Sequence, residues 1–469
     1  MPSADVIARL KAIVGEQGFT DDRDEIAPHL VEWRGRWQGQ TPILLKPQCA
    51  AEVAAILSLC NDTRTPVVPQ GGNTGLAGGQ IPLAGEVLLH LGRMNRIRRI
   101  DAHQSSAIAE AGVMLAALQR AADEAGMYFP LSLASEGSAT IGGALSTNAG
   151  GVNVLRYGSA RALALGLEVV LADGRILDLL RTLHKDNTGY DLKQLFIGAE
   201  GTLGVITAAA VKLFPEPEMS VTALLACPTP DAAVTLLRRL RQAIGPLLSA
   251  FEFFPRSGLG MVLTHIPQTR DPFARPSGWY VLAEAGGGRA LPLYDIIEGA
   301  IASAIADDIA TDATIAASES QRAALWRLRE SFSEAQKREG ASLKHDVSVP
   351  VDSIPELIAS GSAAVERLVP GIRPVPFGHL GDGNVHFNFS APQNADADSF
   401  IARRDEIARV IHDLVASLGG SISAEHGLGI MKRDEILRYK SAAELDTMRA
   451  LKRTLDPNNI LNPGKVVTV

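Results

Sequence analysis

Glycine is concentrated in five short segments of this 469-residue chain, and this clustering constrains what the chain can fold into. Twenty of its 44 glycines fall within residues 71–79, 137–151, 198–204, 378–383 and 419–429. Glycine has no Cβ, so a glycine-rich segment can turn sharply and let its backbone N–H groups approach a ligand. We therefore expect loops that bind a ligand mainly through their backbone.

Composition excludes several classes of protein. With 46% hydrophobic and 21% charged residues, the chain is expected to be globular rather than disordered. Its net charge of -7 gives no long-range attraction for nucleic acid, so a nucleic-acid-binding role is not expected.

The expected location is the cytoplasm. The first residues form an amphipathic pattern unlike a signal peptide, and the longest apolar stretch, residues 162–172, is too short to span a bilayer. Cys49, Cys60 and Cys227 have no CxxC spacing, which predicts neither a disulfide framework nor a thiolate zinc site.

The order of the elements favours more than one domain; the first part fits either an α/β or an α+β fold, and we expect α+β. Up to Phe214, helical patterns such as 50–61 and 113–125 alternate with short β-branched runs. From Val221 the pattern becomes strand, helix, strand, strand, helix, typical of a small α+β sandwich, with a boundary near residues 215–217. A last helix, 442–455, precedes an Asn- and Gly-rich tail that we expect to return to a site.

Two glycine-rich loops are candidates for phosphate binding. Residues 67–79 run from a strand into five glycines with Asn73 and Thr74 between them, and residues 135–151 add hydroxyls and amides. The first loop matches neither the P-loop nor the Rossmann fingerprint. A flexible surface loop is the alternative interpretation of the first segment alone.

A second pattern predicts a metal site. Gly-Asp-Gly-Asn at 381–384 is a turn sequence between two alternating arms, which predicts a hairpin with His379 opposite His386 and Asn388 on the same face. Glu425 is the candidate third ligand, and two His plus one Glu form an open zinc site that also admits Mn or Co. His426 would then be available as a base. The alternatives are structural histidines and a buried Glu425–His426 ion pair.

A third pattern concerns a carboxylate. Residues 325–335 predict one helix with Arg329 and Ser333 a turn apart, and Lys344 follows a Glu-Gly turn. An Arg, a hydroxyl and a Lys that converge can bind a carboxylate through charge-assisted bonds. A solvated charged helix face is the alternative.

The loops resemble a known family of flavoproteins. Pro-Gln-Gly-Gly-Asn-Thr-Gly at 69–75, Ala-Thr-Ile-Gly-Gly at 139–143, Thr-Asn-Ala-Gly-Gly at 147–151, Tyr157-Gly158 and Gly-Ala-Glu-Gly-Thr-Leu-Gly at 198–204 look like the FAD-binding (PCMH-type) domain of the vanillyl-alcohol oxidase family. Some relatives attach the flavin through a histidine in the first loop, where this chain has Asn73 and Thr74, so the resemblance implies noncovalent FAD. The cofactor-binding residues that it implies are Pro69, Gln70, Gly71, Gly72, Asn73, Thr74, Gly75, Leu76, Ser135, Gly137, Thr140, Gly142, Gly143, Asn148, Gly150, Gly151, Glu200, Gly201, Gly204, Ile206 and Asn462.

The second half resembles the FAD-linked D-2-hydroxy-acid dehydrogenases of that family. The resemblance implies that His379, His386 and Glu425 bind the metal, that Asn388 contacts the substrate, and that His426 is the catalytic base and also contacts the substrate. Asn-Pro-Gly-Lys at 462–465 also matches. Taken together, the resemblance implies three parts: an FAD-binding domain at 1–216, a substrate and metal-binding α+β domain with an antiparallel sheet at 217–425, and a C-terminal segment at 426–469 that completes the flavin site.

Arg329, Ser333 and Lys344 resemble the D-2-hydroxyglutarate dehydrogenase branch, where residues at these places bind the distal carboxylate. The expected reaction is FAD- and metal-dependent oxidation of D-2-hydroxyglutarate, or of D-malate, by hydride transfer to flavin N5. The resemblance also implies an electron-transfer flavoprotein or a quinone as electron acceptor, and a homodimer. D-lactate dehydrogenase and a glycolate oxidase flavin subunit are the alternatives within the group. A flavin enzyme of different chemistry and a nonenzymatic subunit are the rivals outside it.

Overall fold

The computed structural model describes every residue, Met1–Val469, and divides the chain into two compact units. The first comprises Met1–Gly151, Gly158–Glu216 and Glu425–Val469, and the second comprises Val152–Tyr157 and Pro217–Ala424. Each unit is described by itself.

Helices and strands alternate along the chain, as an α+β fold requires. The strands are β1 Phe19–Thr20, β2 Leu44–Leu45, β3 Val67–Gln70, β4 Val87–His90, β5 Ile97–Asp101, β6 Ser106–Glu110, β7 Met127–Tyr128, β8 Ala164–Val170, β9 Ile176–Leu179, β10 Val205–Lys212, β11 Phe214–Pro215, β12 Met219–Cys227, β13 Leu248–Pro255, β14 Trp279–Gly287, β15 Asp312–Ile315, β16 Ser342–Leu343, β17 Asp346–Ser348, β18 Arg373–His379 and β19 Asn384–Ser390. The helices are α1 Ala4–Val14, α2 Arg23–Ile26, α3 Ala50–Asp62, α4 Leu115–Glu124, α5 Ile141–Thr147, α6 Val154–Tyr157, α7 Ala160–Leu163, α8 Pro230–Ile244, α9 Arg256–His265, α10 Leu293–Ala306, α11 Glu319–Glu330, α12 Phe332–Glu339, α13 Ile354–Leu368, α14 Ala397–Ala402, α15 Arg404–Ser417, α16 Ile436–Tyr439 and α17 Ala442–Leu455. None of these helices has both the length and the apolar composition needed to cross a membrane.

The first unit contains two main sheets. A four-stranded sheet has the order β1-β2-β4-β3, with β4 parallel to both of its neighbours, and an antiparallel five-stranded sheet has the order β5-β6-β10-β8-β9. The predicted final helix is α17, and the chain beyond it extends beside β3, where Val67 N–H donates to Ile460 O at 2.8 Å. The tail therefore returns to the strand that leads into the first glycine-rich loop.

The second unit is built on one antiparallel sheet with the order β15-β12-β14-β13-β18-β19-β16, in which β17 also pairs with β19. Alternate side chains of each strand point to opposite faces. One face packs against α8, α10, α13 and α15, and the other packs against α9, α11 and α12. We call the second of these the α11/α12 face.

The α11/α12 face carries a buried carboxylate, Glu284, that fastens α11 to the sheet. Glu284 accepts hydrogen bonds from Thr222 Oγ1 at 2.6 Å, Trp326 Nε1 at 2.7 Å and Arg322 Nε at 2.8 Å. Burial alone would raise the pKa of the Glu284 carboxyl, but hydrogen bonds from Arg322, Thr222 and Trp326 hold this pKa below its usual value. The carboxylate is therefore charged and fully partnered.

Replacing this carboxylate should destabilise the second unit. Glu284→Gln leaves Arg322 without its buried counter-charge, and we expect the free energy of unfolding to fall by about 3 kcal/mol. Urea unfolding followed by tryptophan fluorescence measures this. Glu319 also pairs with Arg322, but its side chain is 80% exposed, so Glu319→Gln is the matched control and should change stability by less than about 0.5 kcal/mol. Equal effects of the two variants would contradict the role of Glu284.

In the first unit, His90 at the end of β4 lies against His29, with ring centroids 4.7 Å apart. Burial, reinforced by His29 and Lys46, lowers the pKa of His90 to about 4. The folded protein therefore holds His90 neutral where the unfolded chain, with a usual pKa near 6.5, binds a proton.

Stability should therefore fall as the pH drops from about 6.5 towards 4, because only the unfolded state gains the His90 proton in that window. We expect this group to make the protein about 2 kcal/mol less stable at pH 5 than at pH 7. Chemical denaturation of wild type and His90→Gln at both pH values measures the difference. The variant should show a shallower pH dependence, and an unchanged slope would be evidence against this assignment.

Candidate functional site

The first glycine-rich loop of the first unit presents a row of free backbone donors. No N–H group of residues 72–76 donates to a protein acceptor, and these residues are partly exposed. Successive unpartnered N–H groups form an anion-binding concavity. The loop therefore fits the pyrophosphate of a dinucleotide cofactor.

The side chains around this loop hold its shape. Gln70 donates from Nε2 to His29 O at 2.9 Å and to Gln80 O at 3.1 Å. Asn73, at φ 53°, donates from Nδ2 to Val31 O at 3.0 Å. Of the predicted cofactor-binding residues, Gln70 and Asn73 thus shape the loop, and the backbone supplies the donors.

The second glycine-rich loop packs directly on the first. A Cβ at Gly72 would lie 1.8 Å from Ser138 O, so only glycine allows this approach. Thr140 caps α5 by accepting the Gly143 N–H at 3.3 Å. The carboxyl end of α5 is closed by Asn148 at φ 51°.

Glu200 ties the C-terminal segment to the rest of the first unit. Its Oε1 accepts the Leu428 N–H at 2.7 Å, and its Oε2 accepts the Gly429 N–H at 3.0 Å. Burial raises the pKa of the Glu200 carboxyl, although these N–H groups act in the opposite direction. Asn462 Nδ2 donates to Glu200 O and to Gly79 O, both at 2.8 Å. Glu200 and Asn462, both predicted to bind the cofactor, thus bind other parts of the protein.

The remaining predicted residues of the first unit divide into packing and exposed positions. Gly201 packs on Pro69, Gly204 packs on Val169, and Ile206 is buried in β10, while Ser135 is partly exposed and Gly137 is exposed. Gly151 donates its N–H to Glu425 Oε1 at 2.9 Å, so the candidate third metal ligand is held by a predicted flavin segment. Lys465, which belongs to the matched Asn-Pro-Gly-Lys motif but was not among the predicted cofactor-binding residues, is buried and donates to Ile81 O at 2.9 Å.

In the second unit, His379 and His386 lie together, with ring centroids 5.5 Å apart and planes at 78°. The predicted register is wrong, because Phe377, not His379, is opposite His386. The connection has the expected four residues but begins one residue earlier, at 380–383, since residues 380–382 form a 3₁₀ turn that ends at Gly383 with φ 87°. His379 instead pairs with Glu252 of β13. The two imidazoles are therefore close together, as predicted, but they are not cross-strand partners.

Glu252 is the residue that sequence analysis missed. It is fully buried, accepts from His379 Nδ1 at 2.7 Å and pairs with Arg329 Nη2 at 2.7 Å. Burial alone would raise the pKa of the Glu252 carboxyl, but His379 and Arg329 hold it below its usual value. The available signal was a lone carboxylate within the apolar run Ala-Phe-Glu-Phe-Phe.

The predicted carboxylate-binding residues have different environments. The helix expected over 325–335 is interrupted at Ser331, which separates α11 from α12. Arg329 is 8% exposed and lies over the Phe377 ring, whereas Ser333 is exposed. Lys344 lies between β16 and β17, half-buried.

Asn388 is buried on the same face of β19 as His386. It donates from Nδ2 to Gln336 Oε1 at 2.7 Å, and Gln336 belongs to α12. The α11/α12 face thus holds both histidines, Glu252 and Asn388.

Comparison with known families agrees with this arrangement. The family described as "FAD linked oxidases, C-terminal domain" matches residues 216–466, and the family described as "FAD binding domain" matches residues 41–180.

Curated relatives match over nearly the whole chain. D-2-hydroxyglutarate dehydrogenase, mitochondrial, of Bos taurus is 40% identical over 99% of this chain and 84% of the relative. A probable mitochondrial enzyme of the same name from Oryza sativa subsp. indica is 39% identical over 99% of this chain and 82% of the relative. D-2-hydroxyglutarate dehydrogenase of Xanthomonas citri pv. viticola is 37% identical over 93% and 91%.

Solved structures share the fold. p-Cresol methylhydroxylase with substrate bound has a TM-score of 0.77 at 16% identity and covers 99% of this chain and 96% of its own. An alkyldihydroxyacetonephosphate synthase has a TM-score of 0.74 at 18% identity and covers 99% and 86%. These likenesses confirm the predicted PCMH-type α+β fold. With the free donors of the first loop and relatives 37–40% identical over nearly the full length, the chain belongs to the FAD-linked D-2-hydroxy-acid dehydrogenases and is an FAD-linked oxidoreductase.

Proposed function

We propose that this protein oxidises D-2-hydroxyglutarate, and D-malate less effectively, to the corresponding 2-oxo acid with noncovalent FAD and a divalent metal. The observation that carries the proposal is the pair of imidazoles, His379 and His386, on the same sheet face as Asn388, with the buried Arg329 on helix α11, which packs on that face. The names of the relatives support the choice of D-2-hydroxyglutarate.

The flavin belongs to the first unit. Bound FAD supplies a two-electron acceptor for the hydrogen at substrate C2. Residues 72–76 bind its pyrophosphate through their free N–H groups. The electron acceptor of the reduced enzyme, an electron-transfer flavoprotein or a quinone, stays a prediction, as do the homodimer and the cytoplasmic location.

The proposed metal ligands are His379, His386 and Glu425. A bound divalent cation supplies a Lewis acid that lowers the pKa of the substrate hydroxyl. Two imidazoles with ring centroids 5.5 Å apart are a donor set that zinc accepts. Chain connectivity supports the third ligand: Ala424 N–H donates to Asp346 O at 3.4 Å, Asp346 is opposite His386, and Glu425 is the next residue.

His426 follows Glu425 and is the proposed base. It removes the proton of the C2 hydroxyl, a role suited to histidine because imidazole side chains in general exchange protons near neutral pH. Asn388, held by Gln336, donates to the substrate. Arg329, Ser333 and Lys344 select for the distal carboxylate.

One observation favours a second candidate, a D-lactate or glycolate enzyme. Arg329 already pairs with Glu252 at 2.7 Å, and Ser333 is exposed. A guanidinium neutralised in this way attracts a second carboxylate less strongly than a free one. A substrate with a single carboxylate would not need it.

Anaerobic stopped-flow absorbance of the flavin tests the proposal. D-2-Hydroxyglutarate should bleach the flavin fastest, D-malate more slowly, and D-lactate and glycolate least, because only the first two offer a distal carboxylate. Prior removal of metal by a chelator should abolish bleaching, and added Zn²⁺ should restore it. Faster bleaching by D-lactate would favour the second candidate, and no bleaching by any hydroxy acid would refute the reaction.

Lys344→Ala is the companion variant for selectivity. Loss of one charge-assisted bond to the distal carboxylate should lower kcat/KM for D-2-hydroxyglutarate by about 10- to 100-fold. Its kcat/KM for D-lactate should stay within about threefold of wild type. An equal loss of kcat/KM for both substrates would show that Lys344 does not select for the distal carboxylate.

His426→Ala should lower the rate constant of flavin reduction by about 10²- to 10⁴-fold while FAD remains bound, because the hydroxyl proton loses its acceptor. Rapid mixing with D-2-hydroxyglutarate gives the rate, and the visible spectrum gives the FAD content. His103→Ala removes an imidazole from an exposed turn and is the control. Wild-type reduction by His426→Ala would exclude this histidine as the base.

A further inference from the structure

Glu252 is a carboxylate on a buried, apolar face of the sheet. It is the central residue of β13 between Ala250 and Phe254, which point to the same apolar face, and it is fully buried. A buried carboxylate is costly unless charged partners replace its hydration. Here the partners are one side chain of the proposed metal site and one of the proposed substrate pocket.

The contact with His379 determines which ring nitrogen can bind a metal. Nδ1 lies 2.7 Å from Glu252 Oε1, and a carboxylate can only accept, so Nδ1 carries the hydrogen. The free lone pair of a neutral ring is then on Nε2. A histidine held by a carboxylate in this way is also a stronger metal ligand, because the hydrogen bond increases the basicity of the ring.

The second proposed histidine ligand, His386, also lies near a carboxylate. His386 Nδ1 lies 3.7 Å from Asp346 Oδ1, beyond hydrogen-bond distance. Asp346 Oδ1 accepts instead from Asn384 Nδ2 at 2.9 Å. The contact between Glu252 and His379 is thus shorter than the contact between Asp346 and His386.

The second oxygen of Glu252 holds Arg329. The 2.7 Å ion pair and the stacking of the guanidinium on Phe377, at 4.9 Å from the ring centroid, fix the orientation of the arginine. Arg329 in turn supplies the charge that keeps Glu252 ionised in an apolar surrounding.

We propose that Glu252 is a positioning residue that fixes His379 with Nε2 directed to the metal, and that Arg329 supports it by holding the same carboxylate. The proposal rests on the proposed function, because it takes His379 as a metal ligand. It adds that metal affinity depends on a residue that does not touch the metal.

The test compares two variants that differ only in Glu252. Replacing Glu252 alone would leave Arg329 buried without its counter-charge, which could prevent folding. Arg329→Met alone keeps the carboxylate on His379, and the double variant Glu252→Met/Arg329→Met removes both members of the ion pair. Replacing a whole buried pair by apolar side chains is commonly tolerated.

The measurement is Zn²⁺ affinity of the FAD-containing protein, by competition with a chromophoric chelator, together with the visible spectrum of the Co²⁺-substituted protein. Arg329→Met should bind Zn²⁺ less than about tenfold more weakly than wild type, because Glu252 still accepts from His379 but has lost its second partner, and the double variant should bind it about 10- to 100-fold more weakly. The Co²⁺ spectrum of the double variant should also change.

Glu284→Gln is the matched control, because Glu284 is also a buried carboxylate on the α11/α12 face paired with an arginine but has no histidine contact. It should lose stability and keep wild-type Zn²⁺ affinity. Equal Zn²⁺ affinity of Arg329→Met and the double variant would overturn the role of Glu252. If wild type and His379→Ala bound Zn²⁺ equally, the proposed metal site itself would be wrong.

Discussion

A carboxylate removed from water needs hydrogen bonds or counter-charges to replace its hydration, and three buried carboxylates set the local geometry of this protein. Glu284 fastens α11 to the sheet of the second unit through Arg322 and Trp326. Glu252 joins His379 to Arg329 on the same face. In the first unit Glu200 binds the backbone of Leu428 and Gly429. In each case the requirement to satisfy one charge fixes the position of a segment that bears a candidate functional residue.

In the predicted flavin-binding loops, backbone N–H groups rather than carboxylates need partners. Their side chains bond with the protein's own backbone, as Gln70 and Asn73 show, and the N–H groups of residues 72–76 are left without protein acceptors. Unpartnered backbone donors are tolerable where water or a bound anion can reach them. The close packing at Gly72, where no Cβ would fit, keeps these donors in place.

Regular elements were predictable because they depend on local periodicity. The helix patterns at 50–61 and 442–455 correspond to α3 and α17, and the helical interval after Val221 corresponds to α8. The hairpin register was not predictable, because the 3₁₀ turn at 380–382 begins the connection one residue before the Gly-Asp-Gly-Asn sequence, and the partner of His386 becomes Phe377. The single helix expected over 325–335 breaks at Ser331, a residue whose type alone does not signal an end.

By itself the sequence determined the chemistry of the site: the glycine loops, the two imidazoles on one hairpin, and the adjacent Glu425 and His426 are stretches whose residue types and spacing restrict what they can bind. Only the tertiary structure decided which of these side chains form hydrogen bonds and ion pairs with other residues of the protein. Glu252 comes from β13, more than 120 residues before its partner His379, and no local pattern pairs positions that far apart. Burial on a shared sheet face favours that pairing, because a carboxylate removed from water needs partners such as His379 and Arg329 to replace its hydration.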